Sequence, residues 1–182
     1  MPNFQFDWFS QNIPSFERHL APFRDQPCRV LEIGTHEGRA ATCLLENILT
    51  HDGARIDCVD LYPQEHWQDN IRSTGAAHKA SLHPGASAEV IRSLPLRSFD
   101  FIYIDGFHAT LNVIEDAVLS FRLCKTNGVI AFDDYLWDEK EAARFNAVGT
   151  PKPAVDFFLT VYGHKIELLE KGYSVWIRKL DD

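Results

Sequence analysis

"RVLEIGTHEGRAATCLLENILT", residues 29–50, decides the fold. Residues 29–34 are a short apolar run ending in Glu32, Ile33 and Gly34, the pattern of a strand buried on both faces. Residues 38–50 follow at once with apolar side chains at helical spacing. Between them, Gly34 permits a sharp turn, and Gly38 lets backbone approach a ligand and the helix approach the sheet. The start of that helix offers unpaired N–H groups. Strand, glycine loop and helix in this order open a parallel sheet whose ligands sit beyond the carboxyl ends of its strands.

The alternation continues outward from this unit. Residues 55–62 read as a second strand ending at Asp60, and 65–75 as a helix stopped by Gly75. Residues 78–85 read as a third strand, and 87–94 as a short helix with Ser87 as its cap. "FDFIYID" (99–105) is the fourth strand, 110–124 an amphipathic helix closed by "TNG" (126–128), and "VIAFDD" (129–134) the fifth strand. A helix begun near Pro153 comes next, then strands over 165–171 and 173–179 joined by a tight turn at Gly172. Upstream, residues 14–24 read as a short helix. The expectation is a single α/β domain over residues 1–182, with an N-terminal helical segment (1–25) and a core (26–180). The core is Rossmann-like and doubly wound, a mostly parallel seven-stranded sheet with a C-terminal antiparallel hairpin and helices on both faces.

Composition narrows the function classes. The net charge of −8 argues against nucleic acid and against an anionic membrane surface as partners. No apolar run approaches the ~18 residues of a membrane span, and residues 1–16 lack a basic segment followed by an apolar one. Cys28, Cys43, Cys58 and Cys124 form no C-x-x-C pair, so free thiols and a cytoplasmic location are expected.

The predicted carboxyl edge collects Glu32, Gly34, Asp60, Asp105, Asp133 and Asp134. The loop spacing is G-x-x-x-G, with His36 where a dinucleotide fingerprint has its second glycine, and a side chain there crowds a diphosphate. Asp60 can accept both ribose hydroxyls of an adenosine group. An adenosine-type cofactor follows. A nicotinamide-dependent oxidoreductase is the rival reading, and a non-catalytic cofactor-binding domain the second. Asp105, Asp133 and Asp134 end neighbouring strands, where they either form a hard oxygen site for a divalent cation or serve as caps and turn formers. His108 stands three residues after Asp105. Its alternatives are a general base, since histidine ordinarily titrates near ~6.5, or a residue at the start of the following helix.

On these motifs the chain resembles the class I S-adenosylmethionine-dependent methyltransferases. "LEIGTHEG" resembles their E-x-G-x-x-x-G motif, and Asp60 their ribose-binding acid. The segments "EIGTHEG", "GAS" (85–87), "DFIYIDGFH", "GVIAFDDY" and "PAVDFFL" resemble the methyltransferase domain 24 subgroup, related to catechol O-methyltransferase-like enzymes. The resemblance implies that Glu32, Gly34 and Thr35 face the methionine end of S-adenosylmethionine, with Gly38 and Asp105 also among the cofactor-binding residues. It implies that Asp60 binds ribose and that Gly85, Ala86 and Ser87 border adenine. It further implies a divalent cation such as Mg²⁺ on Asp105, Asp133 and Asp134, and puts His108 where relatives carry a lysine base. The implied reaction is O-methylation of a small-molecule hydroxyl. A lid is expected from residues 62–84 and 135–152 or from a second subunit, a homodimer being one such arrangement.

Overall fold

The computed structural model describes residues 2–182. Its seven strands are β1 (Arg29–Ile33), β2 (Arg55–Asp60), β3 (Ala80–Pro84), β4 (Phe99–Ile104), β5 (Cys124–Phe132), β6 (Ile166–Lys171) and β7 (Val175–Lys179). They form one sheet in the order β3-β2-β1-β4-β5-β7-β6. The first five are mutually parallel, and β7 runs antiparallel to both β5 and β6. The helices are α1 (Ile13–Leu20), α2 (Arg39–Asn47), α3 (Trp67–Ser73), α4 (Ser87–Val90), α5 (Thr110–Leu123), α6 (Glu139–Arg144) and α7 (Pro151–Tyr162). None is long and apolar enough to cross a membrane.

Strand periodicity explains why the runs looked continuously apolar. Alternate residues of β4 enter opposite cores: Phe101 and Tyr103 pack with Phe16 of α1 and Leu44 of α2, while Ile102 and Ile104 pack with Val113 of α5 and Phe158 of α7. All four cysteines are free, and Cys28, Cys58 and Cys124 are buried.

Five local readings change. "TNG" does not close α5; β5 begins directly at Cys124, and a register shift opposite Phe99–Phe101 absorbs the extra residues. Asn127, at a φ of +67°, and Gly128 therefore mark an irregularity within the strand, where glycine and asparagine fit as they would after a helix. Ala86, not Ser87, flanks α4 at its start, and no side chain caps it. Helix α7 starts at Pro151, since proline suits a first helical turn. Helix α6 falls within the 135–152 segment expected as a lid; Asp138 caps it by accepting the N–H groups of Lys140 and Glu141. Residues 2–9 are not helical, and 3–9 run as a strap across the carboxyl edge of the sheet.

Asp116 of α5 lies beneath this edge. A Cβ added to Gly106 would stand 3.4 Å from its Oδ2, while its Oδ1 is buried without a partner. Burial pushes the carboxyl from 3.8 up to about 6, against a smaller opposing effect of the Ser87 hydroxyl. The folded protein thus holds this proton more tightly than the unfolded chain does. The associated stability is full below the unfolded value and lost as pH rises through about 6. Asp116→Asn is expected to stabilise by about 2–3 kcal/mol at pH 8 and to change little at pH 4. Urea midpoints at the two pH values check this; equal shifts at both would reject it.

Candidate active site

Backbone hydrogen bonds carry the sheet one residue past its strands. Asp105 N–H donates to Ile33 O (2.8 Å), Asp133 N–H to Ile104 O (2.9 Å) and Gly34 N–H to Val59 O (2.8 Å). Gly34, Asp105 and Asp133 are thereby set along one edge. Gly34 has a φ of +88°, and a Cβ there would fall 2.0 Å from the Asp105 carbonyl oxygen. No side chain fits where the ends of β1 and β4 touch.

The loop after β1 is built around two acids. Buried Glu32 accepts a hydrogen bond from Thr35 Oγ1 (2.6 Å), which itself accepts from Trp67 Nε1 (2.9 Å). Burial pushes the Glu32 carboxyl up to about 7, against the opposing hydrogen bonds of Thr35 and Cys58. His36 takes a left-handed φ of +47°. Its N–H donates to Asp60 Oδ2 (2.7 Å), and Tyr62 N–H donates to Asp60 Oδ1 (2.8 Å). Asp60 therefore holds the loop's shape, and each oxygen retains a lone pair for a further donor. Gly85 N–H donates to Asp60 O (2.9 Å), which joins the 85–87 turn to the same edge.

The acidic cluster differs from expectation in its membership. One ligand atom each from Asp105, His108 and Asp134 lie within 4.8 Å of one another. His108 Nε2 is 2.8 Å from Asp134 Oδ2, and its ring stands edge-on to Trp137 at 4.9 Å. Asp133 is outside this set. Its Oδ2 accepts from Asn12 Nδ2 (2.7 Å) and from the Tyr103 hydroxyl, and its Oδ1 is buried without a partner. The reason is local: Asp133 follows the strand alternation toward Tyr103, whereas Asp134, at a φ of +52°, breaks it and turns to His108. Desolvation, then Asp133, Asp134 and Glu32, hold the Asp105 carboxyl well above its usual range. Burial also raises Asp134, but its hydrogen bond and charge pairing with His108 outweigh that and leave it low.

Glu32, Gly34, Thr35 and Asp105 meet at one small cavity, whose other walls include Arg39 and the aromatic rings of Phe6, Trp8 and Phe9. Gly38, Asp60 and the 85–87 turn do not line it. The strap supplying those rings is not among the sources expected for a lid, residues 62–84 and 135–152 or a second subunit. A signal existed in Phe4, Phe6 and Trp8, which alternate with Asn3, Gln5 and Asp7. Trp137, from the 135–152 region, does reach the site through His108.

The fold agrees with what this chain is similar to. An uncharacterized protein of Acanthamoeba polyphaga mimivirus is 28% identical over 120 residues, 62% of this chain and 54% of that protein. The alignment therefore spans about half the length of that relative. The O-methyltransferase TomG of Streptomyces achromogenes, involved in tomaymycin synthesis and solved in complex with SAM, superposes with a TM-score of 0.66 at 15% identity, covering 84% of this chain and 73% of TomG. The MycE methyltransferase of the mycinamycin biosynthetic pathway, solved with Mg and SAH, gives a TM-score of 0.67 at 16% identity, covering 97% of this chain and 51% of MycE. These likenesses show the fold. The model of a methyltransferase domain family matches residues 31–135, more than half of the chain, and the chain belongs to that family.

Proposed function

We propose that this protein transfers the sulfonium methyl group of S-adenosylmethionine to a hydroxyl oxygen of a small molecule. The observation that carries the reading is one sheet edge where the Glu32–Thr35 loop abuts a histidine paired with an acid. Membership of the methyltransferase domain family supports it, as do the names and ligands of TomG and MycE. The net charge of −8 favours a small-molecule acceptor over nucleic acid, and the free buried thiols suit the cytoplasm.

S-adenosylmethionine, when bound, supplies an electrophilic methyl group. Glu32 offers a buried acceptor for the ammonium of the cofactor's amino-acid end, and that pairing would draw its carboxyl back down. The spare lone pairs of Asp60 take the ribose hydroxyls. With His108 Nε2–H donated to Asp134, Nδ1 carries the lone pair that removes the acceptor's proton. Asp134 orients the ring and stabilises the imidazolium that results. Much of the rate then comes from positioning nucleophile and methyl group.

A divalent cation is the second reading of the same place, with His108 a ligand in it and not the base. Asp105, His108 and Asp134 offer two carboxylates and an imidazole, and Asp105, Asp133 and Asp134 crowd negative charge together. Asp105, His108 and Asp134 would be the residues holding such an ion, and the chemistry it would supply there is Lewis acidity.

Two measurements test the reading. S-adenosylhomocysteine at 100-fold its Kd is expected to raise the Tm by about 5–10 °C, while NAD leaves it unchanged. Methyl-labelled cofactor, offered a panel of phenols and sugar hydroxyls, is expected to label at least one of them. Stabilisation by NAD instead would point to the oxidoreductase. Binding without transfer to any acceptor would leave only a cofactor-binding domain.

A further inference from the structure

Asp134 joins two parts of the site, and it does so from an uncommon backbone. At a φ of +52° it lies in the left-handed region, which a side chain other than glycine keeps only where its surroundings hold it. His108 Nε2, 2.8 Å from Oδ2, holds its carboxylate from the loop after β4. A second donor comes from the turn of the terminal hairpin.

Strand pairing places that donor. β5 and β7 run antiparallel with Phe132 opposite Val175. Carried two residues past both, this register brings Tyr173 across from Asp134. The two chains stay together there, since Tyr135 N–H donates to Tyr173 O (2.9 Å). The Tyr173 hydroxyl donates to the Asp134 carboxylate. Burial, then this bond and the charges of Asp134, Asp133 and Asp105, hold the phenol above its usual range, so it keeps its proton and remains a donor.

The turn that carries Tyr173 is itself anchored. Lys171 Nζ and the Tyr135 hydroxyl both donate to Asp156 Oδ1 of α7 (2.9 and 2.8 Å). This ties the end of the hairpin, the residue after Asp134 and α7 to one carboxylate. The Tyr173 side chain belongs to a residue that is 41% exposed, so its ring adds little to the core. What it supplies at this point is its hydroxyl.

We infer that Tyr173 is a positioning residue: its hydroxyl fixes the carboxylate of Asp134, and through it the ring of His108. A carboxylate with donors on two sides gives up one of them if it swings away, so His108 meets an acceptor in one fixed place. The hold on Asp134 stands on the pairing of the strand ends. Its effect on turnover rests on the methyl-transfer reading above.

Tyr173→Phe removes the hydroxyl and keeps the ring. With methyl-labelled cofactor and an acceptor labelled in the panel above, the variant is expected to lose about 10-fold in kcat, the low end for a hydrogen bond to a charged group. S-adenosylhomocysteine affinity is expected to stay within about twofold of wild type, which also shows that the variant is folded. In a His108→Ala background the same substitution is expected to cost less than about twofold, because it acts through the missing ring. Long-range ¹H–¹⁵N spectra add a signature that needs no acceptor. The Nε2–H proton of His108, assigned by its absence in His108→Ala, is expected to be protected from exchange in the wild type and lost to exchange in Tyr173→Phe. A wild-type kcat in Tyr173→Phe overturns the inference, as does an Nε2–H equally protected, or equally exchanging, in both proteins. A full loss of about 10-fold in the His108→Ala background overturns it too, since the hydroxyl then acts without the ring. If no acceptor in the panel is labelled, the methyl-transfer reading fails separately, and the spectra alone decide the hold of Tyr173 on Asp134.

Discussion

His108→Ala is expected to lower kcat by about 10²- to 10⁴-fold, the range contributed by a positioned general base. The imidazole is held at two points, 2.8 Å from Asp134 and edge-on to Trp137, so its loss removes an oriented group and not a mobile one. It does not line the Glu32–Arg39 cavity, and S-adenosylhomocysteine affinity is expected to stay within about twofold of wild type, since removing a base alters the transition state and not uniform binding. Added imidazole should restore part of the rate. Recovery on raising the Mn²⁺ concentration would instead mark His108 as a ligand, and turnover within a few-fold of wild type would remove it from the mechanism.

Gly34→Ala carries the largest expected loss of stability. The new Cβ would lie 2.0 Å from Asp105 O and 2.7 Å from Gly106 Cα, both backbone atoms held by the sheet, at a φ of +88°. No flexible side chain can yield, so the ends of β1 and β4 must separate. A cost above about 4 kcal/mol is expected, enough to leave much of a marginally stable chain unfolded. Gly163→Ala is the control: nothing lies within 4 Å and φ is −53°. There alanine is expected to be neutral or to stabilise by up to about 1 kcal/mol. Urea midpoints compare the two, and a Gly34→Ala midpoint near wild type would show that the strand ends separate easily.

The sheet was legible because parallel strands buried on both faces leave apolar runs, and because helices fill the gaps between them. Seven strands and their terminal hairpin follow from that signal, while the family resemblance rests on motifs at the strand ends such as "LEIGTHEG" and "DFIYIDGFH". What failed to show in the sequence lies where periodicity stops. Asp133 and Asp134 are chemically identical neighbours at a strand end, and only the left-handed turn at Asp134 sends one to His108 and the other to Tyr103 and Asn12. Asn127 and Gly128 suit a strand irregularity as well as a helix end. The strap carries its meaning in contacts with residues as distant as Asn70, which no local window contains.

The position of β7 has a consequence for synthesis on the ribosome. It is the last strand of the sheet to be translated, yet it lies inside the sheet between β5 and β6. Its Trp176 stands 5.2 Å from Phe16 of α1, among the first elements made. Until residues 175–179 clear the exit tunnel, the nascent chain carries an open apolar edge along β5, a template for pairing with other chains. The interval between emergence of β5 and of β7 is therefore when this protein most needs a chaperone.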